Sequence, residues 1–221
     1  MKLCYPDIYS PIEIGDERVA SLVIENQGLF YRFMADIRAQ IQGEVGGTVL
    51  SVDNCLVSID KWVDLMADFV TFDGNRKNLL TKILHALEKT ANDEVYFMRT
   101  HRLMAELECY LNDLALEQEV DVAYDKLSLN NLLKSVGMRV IIDYNKLVEK
   151  LFAYMDLVRR FEGEKLFIFV NLRSFVDDAD MELFVKTSLG HGMKMLLVDG
   201  HAYPLLQMEK RRVIDVDLCE M

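Results

Sequence analysis

The chain lacks paired cysteines, a membrane-length apolar run, a surplus of positive charge and a phosphate-binding loop, and each absence removes a class of function. Its four cysteines, Cys4, Cys55, Cys109 and Cys219, are scattered, with no Cys-x-x-Cys and no histidines at zinc spacing. That excludes a disulfide framework and a structural zinc site, and reads as reduced, mostly buried thiols of a cytoplasmic protein. No stretch reaches the roughly 18 apolar residues of a membrane span, and no charged-then-apolar leader opens the chain, so a soluble protein with no membrane partner is expected. Lys and Arg number 25 against 36 Asp and Glu, a formal charge of −11. Such a balance argues against a nonspecific coat on nucleic acid but leaves room for a local basic patch.

Catalytic signatures are missing too. The first strand-to-helix turn reads Glu25-Asn26-Gln27-Gly28-Leu29-Phe30. One glycine and no lysine stand where a backbone cradle for phosphates needs G-x-x-x-x-G-K-[ST] or G-x-G-x-x-G. No Gly-x-Ser-x-Gly occurs, and His85, His101, His191 and His201 have no paired acids at diagnostic spacing. Asp199 closes an apolar run at a place where NTPases often hold a magnesium ligand, but alone it reads as the end of a strand.

What is there is an α/β pattern at both ends of the chain. With 221 residues and 51% hydrophobic content a sizeable core can be buried. Leu166–Val170 and Met195–Val198 are continuous apolar runs, the mark of parallel strands covered on both faces. Between them Asp177 is a good N-cap, Met181, Leu183, Phe184 and Leu189 form a stripe, and Gly190-His191-Gly192 stops the helix. A second strand-turn-helix unit follows from Ala20–Glu25 and a helix over 29–42. Residues 1–20 read as an irregular arm pairing on a sheet edge, and 48–52 with 56–59 as short strands or a hairpin.

From Lys61 to about Arg160 the period becomes helical. Lys61–Asp68 reads as a short helix, Asn78–Asn92 as an amphipathic one, and Glu94–Val120 as the longest, with Met98, Met104, Leu107, Leu111 and Leu114 in its stripe. Ser128 caps a short helix ended by Gly137, Met138–Ile142 reads as a strand, and Asp143 caps a helix over 144–160. The expected division is therefore a discontinuous α/β head, 1–60 and 161–221, with a helical leg, 61–160.

Two clusters carry candidate chemistry. Glu117, Glu119, Asp121 and Asp125 gather oxygen ligands suited to a hard cation such as calcium, although the spacing is not that of an EF-hand and a solvated acidic helix end has the same composition. Lys134 and Arg139 bracket Gly137, where a basic residue also serves the helix dipole. Arg159-Arg160 and Lys210-Arg211-Arg212 read as solvated charges.

Several pieces in this order resemble one family: Phe72-Asp73-x-Asn75 before the Leu79–Glu88 helix, Asp121-x-x-Tyr124-Asp125, Leu132-x-Lys134-Ser135-x-Gly137-x-Arg139, and Glu164-Lys165-Leu166-x-Ile168-Phe169-Val170-Asn171. They are similar to the short CRISPR-associated adaptation protein of type II-A systems. The resemblance implies a mostly parallel α/β head with a degenerate NTPase-like sheet and an inserted helical leg. It also implies a non-catalytic homotetrameric ring that binds calcium and threads the ends of double-stranded DNA, acting with the CRISPR integrase proteins and the effector nuclease during spacer acquisition. By this resemblance Lys134 and Arg139 are phosphate contacts, and Glu117, Glu119, Asp121 and Asp125 the calcium ligands. The chain departs from the pattern at Ala123, Lys126 and Asn131, where relatives often carry acids, and Ser51–Lys61 holds only Lys61 where relatives show several lysines. The rival readings are a protein-interaction adaptor with incidental DNA binding and a divergent NTPase-like enzyme.

Overall fold

The computed structural model describes residues 1–118, 123 and 127–221. The described residues divide into two compact units, one made of 1–74 with 142–221 and the other of 75–141.

The first unit is built on a five-stranded, all-parallel sheet. Its strands are β3 (Val19–Ile24), β6 (Val63–Met66), β7 (Leu166–Val170), β8 (Lys194–Asp199) and β9 (Glu209–Ile214), in the spatial order β6-β7-β8-β3-β9. Every residue of β3 and β7 is buried, as continuous apolar runs require when both faces are covered. Leu22, Ile24, Ile168, Leu196 and Val198 share one core with Leu29, Phe33 and Ile37 of α1 (Gln27–Ile41). Phe169 is fully buried and meets Phe184 of α7 (Asp178–Gly190), ring centroids 5.6 Å apart. The Asp177 side chain caps α7 by accepting from the Asp180 amide, as expected.

Several expectations are corrected. The N-terminal arm does form a sheet edge, but of a second sheet: β1 (Lys2–Cys4) and β2 (Ile12–Glu13) join β4 (Val49–Val52) and β5 (Cys55–Val57) in an antiparallel sheet ordered β2-β1-β4-β5. Residues 61–68 are not one helix. A single turn, α2 (Ile59–Trp62), leads straight into β6, whose Asp64 interrupts the apolar pattern but is buried because Tyr154 Oη donates to its Oδ2 at 2.7 Å. Tyr154 belongs to α6 (Leu147–Glu162), which starts at Lys146 with no side-chain cap, so Asp143 does not cap it. Because β6 hydrogen-bonds to β7 and α6 buries five side chains, residues 61–74 and 142–160 belong to the first unit, and the insert is 75–141. Gly74 is where the chain leaves: its φ is +73°, and a Cβ there would stand 2.5 Å from Ile142 Cδ1. All four cysteines are free and exposed, not buried; in β1 the pleat turns Leu3 inward and Cys4 outward.

The second unit is helical. It holds α3 (Lys77–Ala91), α4 (Phe97–Leu116) and α5 (Leu129–Ser135). Only Leu79 and Leu84 of α3 are buried, and no residue of α4 or α5 is. Residues 138–141 form no strand, because the backbone of Val140 bonds to a side chain: its amide donates to Asn75 Oδ1 (2.9 Å) and its carbonyl accepts from Asn75 Nδ2 (3.1 Å).

Candidate nucleic-acid interface

α5 exists because its ends are sealed locally. Ser128 Oγ accepts from the Asn131 amide at 3.2 Å, satisfying one of the free N–H groups of the first turn. At the other end the Gly137 amide donates to Lys134 O at 3.1 Å, with Gly137 at φ +66° in open space. The left-handed residue turns the chain out of the helix. Lys134 thereby sits on the last turn and Arg139 just beyond the reversal, both exposed. Neither forms an ion pair with a carboxylate among the described residues. Exposed, unpaired Lys and Arg attract phosphate without reading sequence.

The packing of α5 on α3 is pinned by Asn130 Nδ2, which donates to Glu88 Oε2 at 3.2 Å. Asn75 and Asn130 therefore hold the basic segment in place. The sequence offers Asn75 only as part of a family-like pattern and Asn130 not at all, since their partners lie 65 and 42 residues away.

Of the four carboxylates expected to hold calcium, Glu117 is the exposed C-cap of α4, while Glu119, Asp121 and Asp125 lie outside the described residues. Among the described residues no group of three His, Cys, Asp or Glu is arranged to hold a metal ion. Ala123, described and exposed, offers no side-chain oxygen.

At the first strand-to-helix turn Asn26 is the N-cap of α1. Asn26 Oδ1 accepts from the Leu29 amide at 2.9 Å, on the amide face of α1 where a phosphate would rest, and its Nδ2 donates to Val216 O at 2.9 Å. Asp199 does end its strand, but as a buried carboxylate with Oδ1 unpartnered, beside Arg173, Glu209 and Arg211. Burial pushes its carboxyl up to about 6. Arg173 donates to Asp178 Oδ1 and Pro204 O, 2.8 Å each, and Arg211 holds both oxygens of Glu209 at 2.6 and 2.9 Å. Desolvation opposes ionisation of Glu209, yet its hydrogen bonds and the Arg211 guanidinium keep it below the usual carboxylate range. The Lys210-Arg211-Arg212 run lies in β9: Lys210 is exposed, as expected, in a 2.8 Å pair with Glu13, whereas Arg211 and Arg212 are partly buried, Arg212 donating to the carbonyls of Ser10 and Pro11. Arg159 likewise donates to His191 O, while Arg160 keeps only a loose 3.8 Å pair with Asp156.

The histidines are held in structural contacts. His85 lies 3.5 Å from Glu88, His101 rests on the Phe97 ring, His191 caps α7 against Phe152, and His201 rests on Tyr203. No helix among the described residues is long and apolar enough to cross a membrane.

Comparison with known proteins points one way. The family model described as CRISPR-associated protein (Cas_Csn2) matches residues 40–218. The chain is similar to a CRISPR-associated protein Csn2 of Streptococcus agalactiae, 26% identical over 114 residues, which is 51% of this chain and 51% of that protein. The chain thus spans about half the length of the curated relative it matches. Among solved structures it is similar to Stu0660 of Streptococcus thermophilus, with a TM-score of 0.57 at 14% identity over 90% of this chain and 68% of that one, a likeness of fold.

Proposed function

Since the chain belongs to the family of CRISPR-associated proteins described as Cas_Csn2, we propose that it is a non-catalytic protein of spacer acquisition that binds the ends of double-stranded DNA. In this reading the working form is a homotetrameric ring threaded by linear duplex, and its protein partners are the CRISPR integrase proteins and the effector nuclease. The observation that carries the reading is the pair Lys134 and Arg139, exposed and without a carboxylate partner among the described residues, on a helix exit held by Asn75 and Asn130.

Calcium belongs to the proposal as a stabiliser of the segment after α4, held by Glu117, Glu119, Asp121 and Asp125. With no acids at Ala123, Lys126 and Asn131, the site would carry less charge and bind more weakly than a fuller carboxylate set.

The test is a gel shift of linear against covalently closed circular duplex, with calcium and with chelator, alongside light scattering for mass. Retention of linear DNA alone by a tetramer-sized particle supports threading; equal retention of both forms refutes it. Lys134→Glu with Arg139→Glu should abolish retention while leaving the particle mass unchanged, and undiminished binding overturns the site.

A second reading has an observation of its own. Leu103, Tyr110 and Leu114 of α4 are exposed apolar side chains, as an adaptor would present to a protein partner. A pull-down of integrase or effector that survives nuclease treatment and disappears on substituting these residues would favour the adaptor.

A further inference from the structure

α3 carries Lys82, His85 and Lys89 at spacings of three and four, so the three side chains form one stripe along the helix. All are exposed. Of the acids near this stripe, neither Glu88 nor Asp93 pairs with its lysines. Glu88 Oε2 accepts from Asn130 Nδ2 at 3.2 Å and stands 3.5 Å from His85 Nδ1. Asp93, four residues after Lys89, instead accepts the amides of Val95 and Tyr96, 3.1 Å each, just ahead of α4. Lys82 and Lys89 consequently form no ion pair with a carboxylate among the described residues.

The segment that bears Lys134 and Arg139 runs beside the same helix. Asn130 is tied to Glu88 near the C-terminal end of α3, and Val140 to Asn75, just before its N-terminal end. Between these anchors the chain travels antiparallel to α3. Lys134 and Arg139 therefore fall within the length of helix that runs from Asn75 to Glu88. Lys82 and Lys89 thus lie on α3, Lys134 on the last turn of α5 and Arg139 on the segment that runs on beside α3, four cations with no carboxylate ion pair among the described residues.

Lys82 and Lys89 are seven residues apart, about 10 Å along the axis. A single small anion cannot bridge that span, whereas a polymer of phosphates can. We infer that α3 supplies Lys82 and Lys89 as further phosphate ligands, extending the Lys134–Arg139 site into a strip that follows a DNA backbone. This inference rests on the DNA-binding reading above. Ion pairs of this kind add affinity without base readout and make binding steeply dependent on salt.

The experiment is fluorescence anisotropy of the full chain with a labelled linear duplex, titrated with salt. It compares the unaltered protein, Lys82→Gln with Lys89→Gln, Lys134→Gln with Arg139→Gln, and a control, Lys186→Gln, on the exposed side of α7. The α3 pair should weaken binding at least tenfold and flatten the slope of log K against log salt by about 0.9 for each phosphate no longer neutralised. The control should match the unaltered protein. Circular dichroism and light scattering confirm that each variant keeps its helix content and mass. If the α3 pair leaves affinity and slope unchanged while the Lys134–Arg139 pair weakens both, the strip is overturned and the DNA-binding reading stands. If the unaltered protein does not bind the duplex, both are overturned.

Discussion

The two units of this protein use apolar residues in opposite ways. In the first, whole strands disappear: all six residues of β3 and all five of β7 are buried. In the second, the longest helix, α4, has an apolar stripe and not one buried residue. Helical periodicity tells which face is apolar; whether that face is covered depends on what packs against it. Charge divides as unevenly. The insert holds 9 of the 25 basic and 10 of the 36 acidic residues, leaving 16 basic against 26 acidic in the first unit. The acidic character of the chain belongs almost wholly to the sheet unit, and the helical unit is close to neutral. A local basic strip is therefore compatible with a formal charge of −11.

The contrast in burial can be broken directly. Phe169→Ala removes a ring wedged against Phe69 and Phe184 and should cost about 3–5 kcal/mol, whereas Leu103→Ala on α4 should cost less than about 0.5 kcal/mol. Urea denaturation of both variants measures the difference, and equal destabilisation would mean that α4 is covered in solution.

The buried charge of the sheet unit gives a smaller, pH-dependent effect. Burial raises Asp199 to about 6 despite Arg173 and Arg211, with Glu209 adding to the rise. A raised carboxyl favours the protonated folded state, so its contribution is present below pH ~4 and is lost as pH rises through about 6. The shift of roughly two units corresponds to about 3 kcal/mol at neutral pH. Asp199→Asn should therefore flatten the stability profile between pH 4 and 6 and stabilise the protein at pH 7.5 by ~1–3 kcal/mol. A variant whose midpoint still falls across that window would place the titration elsewhere.

The smallest effect should stay within the insert. Asn75→Ala removes both hydrogen bonds to Val140, costing about 1–2 kcal/mol, and should speed exchange of the Val140 amide without altering that of β8. Faster exchange throughout β8 would show that the two units share their stability.

What can be read from the residues alone follows the same division. β7, α7 and β8 are legible because continuous apolar runs, an Asp cap and a glycine stop are local signals, and Ser128 and Gly137 delimit α5 in the same way. β6 is not legible, because Asp64 breaks a four-residue pattern and its burial depends on Tyr154, ninety residues on. The Val140 segment reads as a strand because nothing nearby reveals that Asn75 takes its backbone bonds. The site is half visible. Lys134 and Arg139 follow from a family pattern, whereas Lys82 and Lys89 stand out only once Glu88 and Asp93 are seen to pair with neither lysine. The expected ligands Glu119, Asp121 and Asp125 lie outside the described residues, so calcium is a matter for the chelator experiment.

The position of β3 has a consequence for the order of events on the ribosome. It is the first strand of the parallel sheet to be synthesised, yet both of its neighbours, β8 and β9, come from Lys194–Ile214. Residues 19–24 must wait for their partners until Lys194–Ile214 has emerged, and closing that long loop makes the sheet slow to nucleate. Synthesis in a living cell would thus leave β3 open to aggregation until β8 and β9 arrive.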